Sequence, residues 1–188
     1  KEKFHDEIKK FAELTNHKSH GFRAPTFSLN NNSSWAIDVL AENNYMYDSS
    51  VVPAKTSLYG LPNAQESPYK ISSKNIEKNN SDGTVIEFPL LVTNFLGKKI
   101  PAAGGFYLRS LPTKITKNAI KNYEKQGIPA SFYVHSWELT PEYMPKLDLP
   151  FKDNFTTFHN INDTYKRMNE ILEEFEFTSF ENYISQGV

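Results

Sequence analysis

Apolar residues recur at helical spacing from the first turn of the chain. Phe4, Ile8, Phe11 and Ala12 fall on one face, which predicts an amphipathic helix over about residues 2–15. The stretch GFRAP (21–25) then predicts a brief strand, with Arg23 at its exit and Pro25 forcing an irregular continuation. After the polar loop SLNNNSS, the run WAIDVLAEN predicts a second helix with Ser33 or Ser34 as N-cap and Ala36, Val39 and Leu40 as its buried stripe. Asn43 and Asn44 end it, since asparagine tolerates the left-handed conformation that helix C-termini often need. YMYDSSVV (45–52) predicts the next short strand and its exit. Strand, helix and strand joined by short connections favour a parallel sheet.

Residues 53–83 break this rhythm with Pro, Ser, Asn and Lys, and a loop that long is usually functional or disordered. Within it, KISSKNI and TVIEF have the form of a hairpin around NNSDG, whose Asp82-Gly83 is a turn signal. IPAAGGFYLRSLP is a glycine-containing approach to a short aromatic run. Residues 113–126 predict a helix with Ile115, Ala119 and Tyr123 on one face and Gly127 as its stop. Phe132, Tyr133 and Val134 form a β-type run that delivers His135 where a strand should end. A Pro-rich loop runs through Pro150. Tyr165, Met168, Leu172 and Phe175 then mark a last helix, and FEFTSF a last strand. There is no internal repeat and no second domain boundary, so residues 1–188 are expected to form one domain.

Composition narrows the function classes. A formal net charge of -1 gives no support to nucleic-acid or anionic-membrane binding, which would want a basic excess. With no cysteine, disulfides and thiolate metal sites are excluded, and the compartment, cytoplasm or cell envelope, stays open. No apolar run approaches the ~18 residues a membrane span needs. The opening KEKFHDEIKKFAEL has the character of a helix interior, which suggests a fragment.

Chemistry in parallel sheets collects where strands end, because loops there converge on a ligand. His135 sits at such an end beside Trp137 and Glu138, as a general acid in an aromatic-walled groove would; the alternative is a structural histidine. Arg23 has the same placement, and a fixed guanidinium there can orient a carboxylate and keep it ionised; the alternative is an ordinary salt-bridging arginine. Asp48, taken by its residues alone, caps a turn. Gly104-Gly105 with Arg109, taken the same way, is a tight turn followed by a solvated arginine. His17 and His20, spaced H-x-x-H, lack a third ligand and are expected to be exposed loop histidines.

FYVHSWEL (132–139) and GFRAP together resemble the fifth and third motifs of the polysaccharide deacetylases, the NodB-homology group of carbohydrate esterase family 4. The Trp-Glu-Leu continuation is similar to a bacterial subgroup linked to exopolysaccharide production. The resemblance implies a partial, distorted (β/α) barrel with a long inserted loop or hairpin, representing the C-terminal portion of such a domain. It further implies a hydrolase that removes N-acetyl groups from amino sugars of a polysaccharide. His135 would protonate the departing amine, Arg23 would pair with the carboxylate base, and Asp48 would tune the histidine. Pro25, Trp137, Gly105 and Arg109 would line the groove.

In that family a divalent metal, zinc or similar, activates the water. Its two adjacent aspartates and its H-x-x-x-H pair have no counterpart here, so no metal is expected on this chain and the isolated fragment is expected to be inactive. A barrel lacking early strands would leave an open edge near GFRAP, covered by a homodimer or a companion segment. Two competing readings stand beside it. One is a non-catalytic carbohydrate-binding or assembly fragment; the other is a serine hydrolase, for which no G-x-S-x-G elbow is present.

Overall fold

The computed structural model of the chain describes residues 1–16, 18–145 and 147–187. Helix α1 (Glu2–Leu14) buries Ile8 and Ala12, one turn apart, while Phe11 stays half exposed. Phe4 on the same helix meets Phe22 and Trp35 edge-on, at 5.7 and 5.6 Å between ring centroids. β1 (Gly21–Phe22) leads into a 3-10 turn at Pro25–Phe27, and α2 (Trp35–Glu42) follows with Ser34 at its N-cap. Ile37, Val39 and Leu40 are its buried residues, with Ala36 only half buried. Asn44 ends α2 with φ of 60°, the left-handed conformation anticipated for that pair.

β2 (Tyr47–Asp48) pairs in parallel with β1, and β4 (Val85–Glu87) pairs in parallel with β2 in the register Tyr47–Ile86 and Asp48–Glu87. β3 (Tyr69–Ile71) is antiparallel to β4, which gives a four-stranded sheet in the order β1-β2-β4-β3. The anticipated hairpin around NNSDG is therefore present, but its first strand is Tyr69–Ile71, and SSKNI is turn rather than ladder. β1 is an edge strand of this sheet. A second, two-stranded sheet is formed by β5 (Val92–Phe95) and β6 (Lys98–Pro101). Leu96 and Gly97 close it with φ of 49° and 74°, the tight two-residue turn whose twist suits a hairpin.

α3 (Gly105–Ser110) occupies the stretch read as an aromatic run, and α4 (Thr113–Lys125) buries Thr116, Ala119, Ile120 and Tyr123 before Gly127 stops the helix with φ of 69°. The expected strand at 132–134 is absent. Only Ser131 forms a bridge, in parallel with Leu90, and 132–134 join no ladder. One helical turn follows as α5 (Ser136–Leu139), then α6 (Phe151–Phe158), α7 (Thr164–Leu172) and α8 (Phe180–Ser185). α7 buries Thr164 and Ile171, whereas Tyr165 and Leu172, expected on its inner face, are exposed. FEFTSF is not a strand: its segment joins no ladder and runs into α8.

Two buried clusters flank the sheet. One gathers Leu90, Leu91, Val92, Leu108, Ile120 and Ile171 with their neighbours; the other gathers Ile8, Ile37, Leu40, Val51, Ile71 and Val85 with theirs. The architecture is mixed α/β with two sheets, and no closed barrel exists among the described residues. No described helix is long and apolar enough to cross a membrane.

Candidate functional site

The exits of β1 and β2 are tied together by side chains of the Asp48-Ser49-Ser50 run. Arg23 donates from Nε to the Ser49 carbonyl and from Nη2 to the Ser49 hydroxyl, both at 2.7 Å. Ser49 Oγ donates in turn to the Phe88 carbonyl at 2.7 Å, just beyond β4. Ser50 Oγ accepts from the Ala24 N–H and donates to Asp48 Oδ1, each at 2.7 Å. Charge-assisted bonds of this length fix the guanidinium plane. Arg23 Nη1 has no hydrogen-bond partner among the described residues.

Parallel register sets Asp48 beside Glu87, and both side chains are fully buried. Glu87 Oε1 accepts from the Val51 N–H at 2.9 Å, while Asp48 Oδ2 and Glu87 Oε2 have no hydrogen-bond partner among the described residues. Burial, then the neighbouring Asp48, pushes Glu87 well above the ordinary carboxylate range. Asp48 is also raised by burial, against the bond it receives from Ser50 and the nearby Arg23 charge. Of the two, Glu87 is the carboxyl pushed furthest toward its neutral form. Asp48 serves this pair, and among the described residues no hydrogen bond joins it to His135.

A group whose folded pKa is raised favours the fold most below its unfolded pKa, and that contribution is lost as pH climbs toward the folded value. Wild-type stability should thus fall as pH rises from about 4.5 through the neutral range. Glu87→Gln keeps the acceptor for Val51 and cannot ionise, so its stability should fall less over that interval. Urea unfolding at pH 5 and pH 8 measures this; an equal fall in both proteins would show that Glu87 is not the group responsible.

Tyr133 links the arginine to the histidine. The Arg23 guanidinium lies 5.3 Å from its ring centroid, and the His135 ring packs edge-on at 5.3 Å. Burial pushes its phenol up, which keeps it neutral. Thr26 and Phe27, with φ of 54° and 52°, form a left-handed turn that sets the Phe27 ring 5.2 Å from Tyr133 and 5.2 Å from Tyr59. Such conformations cost about 1–3 kcal/mol each outside glycine, so packing must hold this turn in place. On the other side, a Cβ on Gly104 would lie 2.1 Å from the Tyr133 carbonyl oxygen, and one on Gly105 2.6 Å from its hydroxyl. The Gly104-Gly105 pair is required for this close approach.

His135 is the N-cap residue of α5 and its side chain is half exposed. Its backbone N–H donates to Glu138 Oε2 at 3.0 Å, and its Nδ1 lies 2.8 Å from the same oxygen. Glu138 is fully buried, and its other oxygen accepts from Arg109 Nε at 2.9 Å. Arg109 is buried too, donating from Nη1 to the His159 carbonyl at 2.7 Å and from Nη2 to the Thr156 carbonyl at 3.1 Å. Burial alone would raise the Glu138 carboxyl, but the bonds from His135 and the Arg109 charge hold it below the usual range. The anion can only accept, so the neutral His135 ring carries its proton on Nδ1. His135 Nε2 has no partner among the described residues. Trp137 stacks on the ring at 5.4 Å between centroids.

Arg23 and His135 thus both pack against Tyr133, with Trp137 against the imidazole and Gly105 close to the tyrosine hydroxyl. Pro25 is exposed at the start of the 3-10 turn. Arg109 is not the solvated arginine that a tight turn would leave, but buried in an ion pair with Glu138. Glu87 and Tyr133 join the site without a sequence signal that marks them. His20 pairs with Glu181 at 3.1 Å, and His17 lies outside the described residues. Among the described residues no three His, Asp or Glu side chains converge, so those residues do not fit a resident metal.

No curated protein and no solved structure matches the sequence. The stretch that supplies Ser49, Glu87, Arg109, Tyr133, His135 and Glu138 is nonetheless covered by a known family: residues 49–185, well over half of the chain, match the Domain of unknown function (DUF3473), and the chain belongs to that family.

Proposed function

We propose that this chain supplies the leaving-group side of a polysaccharide deacetylase site, in a distorted (β/α) barrel of which it forms the later strands. The observation that carries the reading is the His135 imidazole, half exposed, anchored through Nδ1 on a buried carboxylate and open at Nε2. A ring held this way delivers a proton in one direction. DUF3473 is known as a polysaccharide deacetylase-related domain, which favours an N-acetylated amino-sugar polymer as the substrate class. In the imidazolium form, Nε2–H donates to the amide nitrogen as the C–N bond of the tetrahedral adduct breaks. The electron pair of that bond goes to nitrogen, acetate departs, and the Nδ1 proton stays on the now neutral His135 ring, hydrogen-bonded to Glu138. Arg23, open at Nη1, is set to bind an anionic or carbonyl oxygen beside Tyr133. These residues bind and protonate; the role of activating the attacking water falls to none of them.

The test is acetate release from an acetylated chitooligosaccharide and from an N-acetylated exopolysaccharide by the protein that carries this chain. Release is the expected result. Retention on the immobilised polymer with no acetate formed would overturn the hydrolase reading in favour of a carbohydrate-binding role.

A further inference from the structure

The resemblance gives the histidine-tuning role to Asp48, whereas the contacts give it to a different carboxylate. We propose that Glu138, ion-paired with Arg109, is the positioning residue for the His135 imidazole, an inference that rests on the deacetylase reading only for its catalytic consequence. Three observations converge on it. Glu138 Oε2 takes both the backbone N–H and Nδ1 of His135, at 3.0 and 2.8 Å, which fixes ring position and ring rotation from a single atom. Glu138 Oε1 is occupied by Arg109 Nε, so neither carboxylate oxygen needs water inside the fold. Asp48 is fully buried, accepts from Ser50, and lies in register with Glu87 on the neighbouring strand.

The spacing explains why one residue does both jobs. His135 is the N-cap and Glu138 the third residue of α5, where a glutamate side chain reaches back to the N-cap N–H. Here the N-cap is itself the candidate acid, so the capping carboxylate also meets its ring. Arg109 brings a charge from α3, and its Nη1 and Nη2 tie that charge to the end of α6. The arrangement sets the tautomer: Nδ1–H faces inward, and Nε2 faces outward for proton exchange. A carboxylate holding a histidine in one tautomer accounts for factors as large as about 10⁴ in hydrolases of another class.

The experiment reads the tautomer directly, by long-range ¹H–¹⁵N correlation of the imidazoles at a pH where His135 is neutral. Wild type and Asp48→Asn should both show Nδ1 protonated and Nε2 bare, whereas Glu138→Gln should show the other tautomer or a mixture. Glu138→Asp, which keeps the carboxylate, should restore the wild-type pattern at least in part. A wild-type ring protonated on Nε2 would overturn the proposal, and that reading needs no variant to fold. So would an Asp48→Asn spectrum that changes while Glu138→Gln does not. In the acetate assay, Glu138→Gln should lower kcat by about 10²-fold or more with KM unchanged. If the tautomer responds but wild type releases no acetate, positioning stands and the deacetylase reading falls. If acetate is released and the tautomer ignores Glu138, the reverse holds.

Discussion

Replacement of His135 by alanine is expected to lower the rate of acetyl release by about 10²–10⁴-fold, the usual worth of a positioned general acid. That range corresponds to about 3–5 kcal/mol of transition-state stabilisation. The loss should fall on kcat rather than KM, because the proton is needed only as the C–N bond breaks. The fold should be nearly indifferent. Without the ring, Glu138 still accepts from the backbone N–H of residue 135 and from Arg109, so no buried charge is left alone. The side chain is half exposed, and removal of such a group typically changes stability by less than about 1 kcal/mol. Steady-state acetate release and urea unfolding on the same preparation separate the two effects. Turnover equal to wild type would take His135 out of the mechanism.

The helices are the legible part of the fold, and the reason is length. α1, α2 and α4 each carry two or more apolar residues at i, i+3 or i+4, and Asn44 and Gly127 adopt the left-handed conformations their types suggest. Strands of two or three residues hold too little alternation to be located by pattern. The runs FYV and FEFTSF are rich in aromatic residues, yet neither joins a ladder, and only Ser131, just before the first, finds a bridge partner. Pairing is a tertiary fact that composition does not carry. α6 starts directly after Pro150 and is hidden by the Pro-rich loop before it, although Phe151, Phe155 and Phe158 repeat at helical spacing. The β5–β6 hairpin turns on Leu96-Gly97, a weaker signal than Asn-Gly.

Within the site, proximity in sequence decides what is visible. His135 stands out because strand-end logic and its aromatic neighbours are both local. Glu138 is visible beside it, and its distance of three residues is a capping-box spacing that points to a bond back to residue 135. Arg109 lies 29 residues from Glu138 and arrives through the packing of α3, so solvation is the natural alternative for a lone arginine. Glu87 reaches Asp48 only through the parallel register of β2 and β4. Two carboxylates so far apart along the chain give no sign in sequence that they are buried side by side.

Arg109→Met is expected to be the most destabilising single change at the site, by about 3–5 kcal/mol. Methionine fills much of the arginine volume, so the effect is electrostatic rather than a cavity. It leaves the fully buried Glu138 carboxylate without its ion pair and strips donors from the Thr156 and His159 carbonyls. For a chain of this size that corresponds to a fall in Tm of roughly 6–20 °C. The double replacement of Arg109 and Glu138 by methionine should recover most of this loss, because exchanging a whole buried pair for apolar groups is often neutral or stabilising. It should not recover acetate release, since His135 would keep a ring but lose the carboxylate that orients it. Recovery of stability without recovery of turnover would separate the two roles of the pair: burial of a balanced charge within the fold, and alignment of a proton donor at its surface. A single Arg109→Met variant within about 1 kcal/mol of wild type would show that Glu138 takes up a proton or finds water in place of the guanidinium, and the neutral carboxyl would then cease to fix His135 in one tautomer.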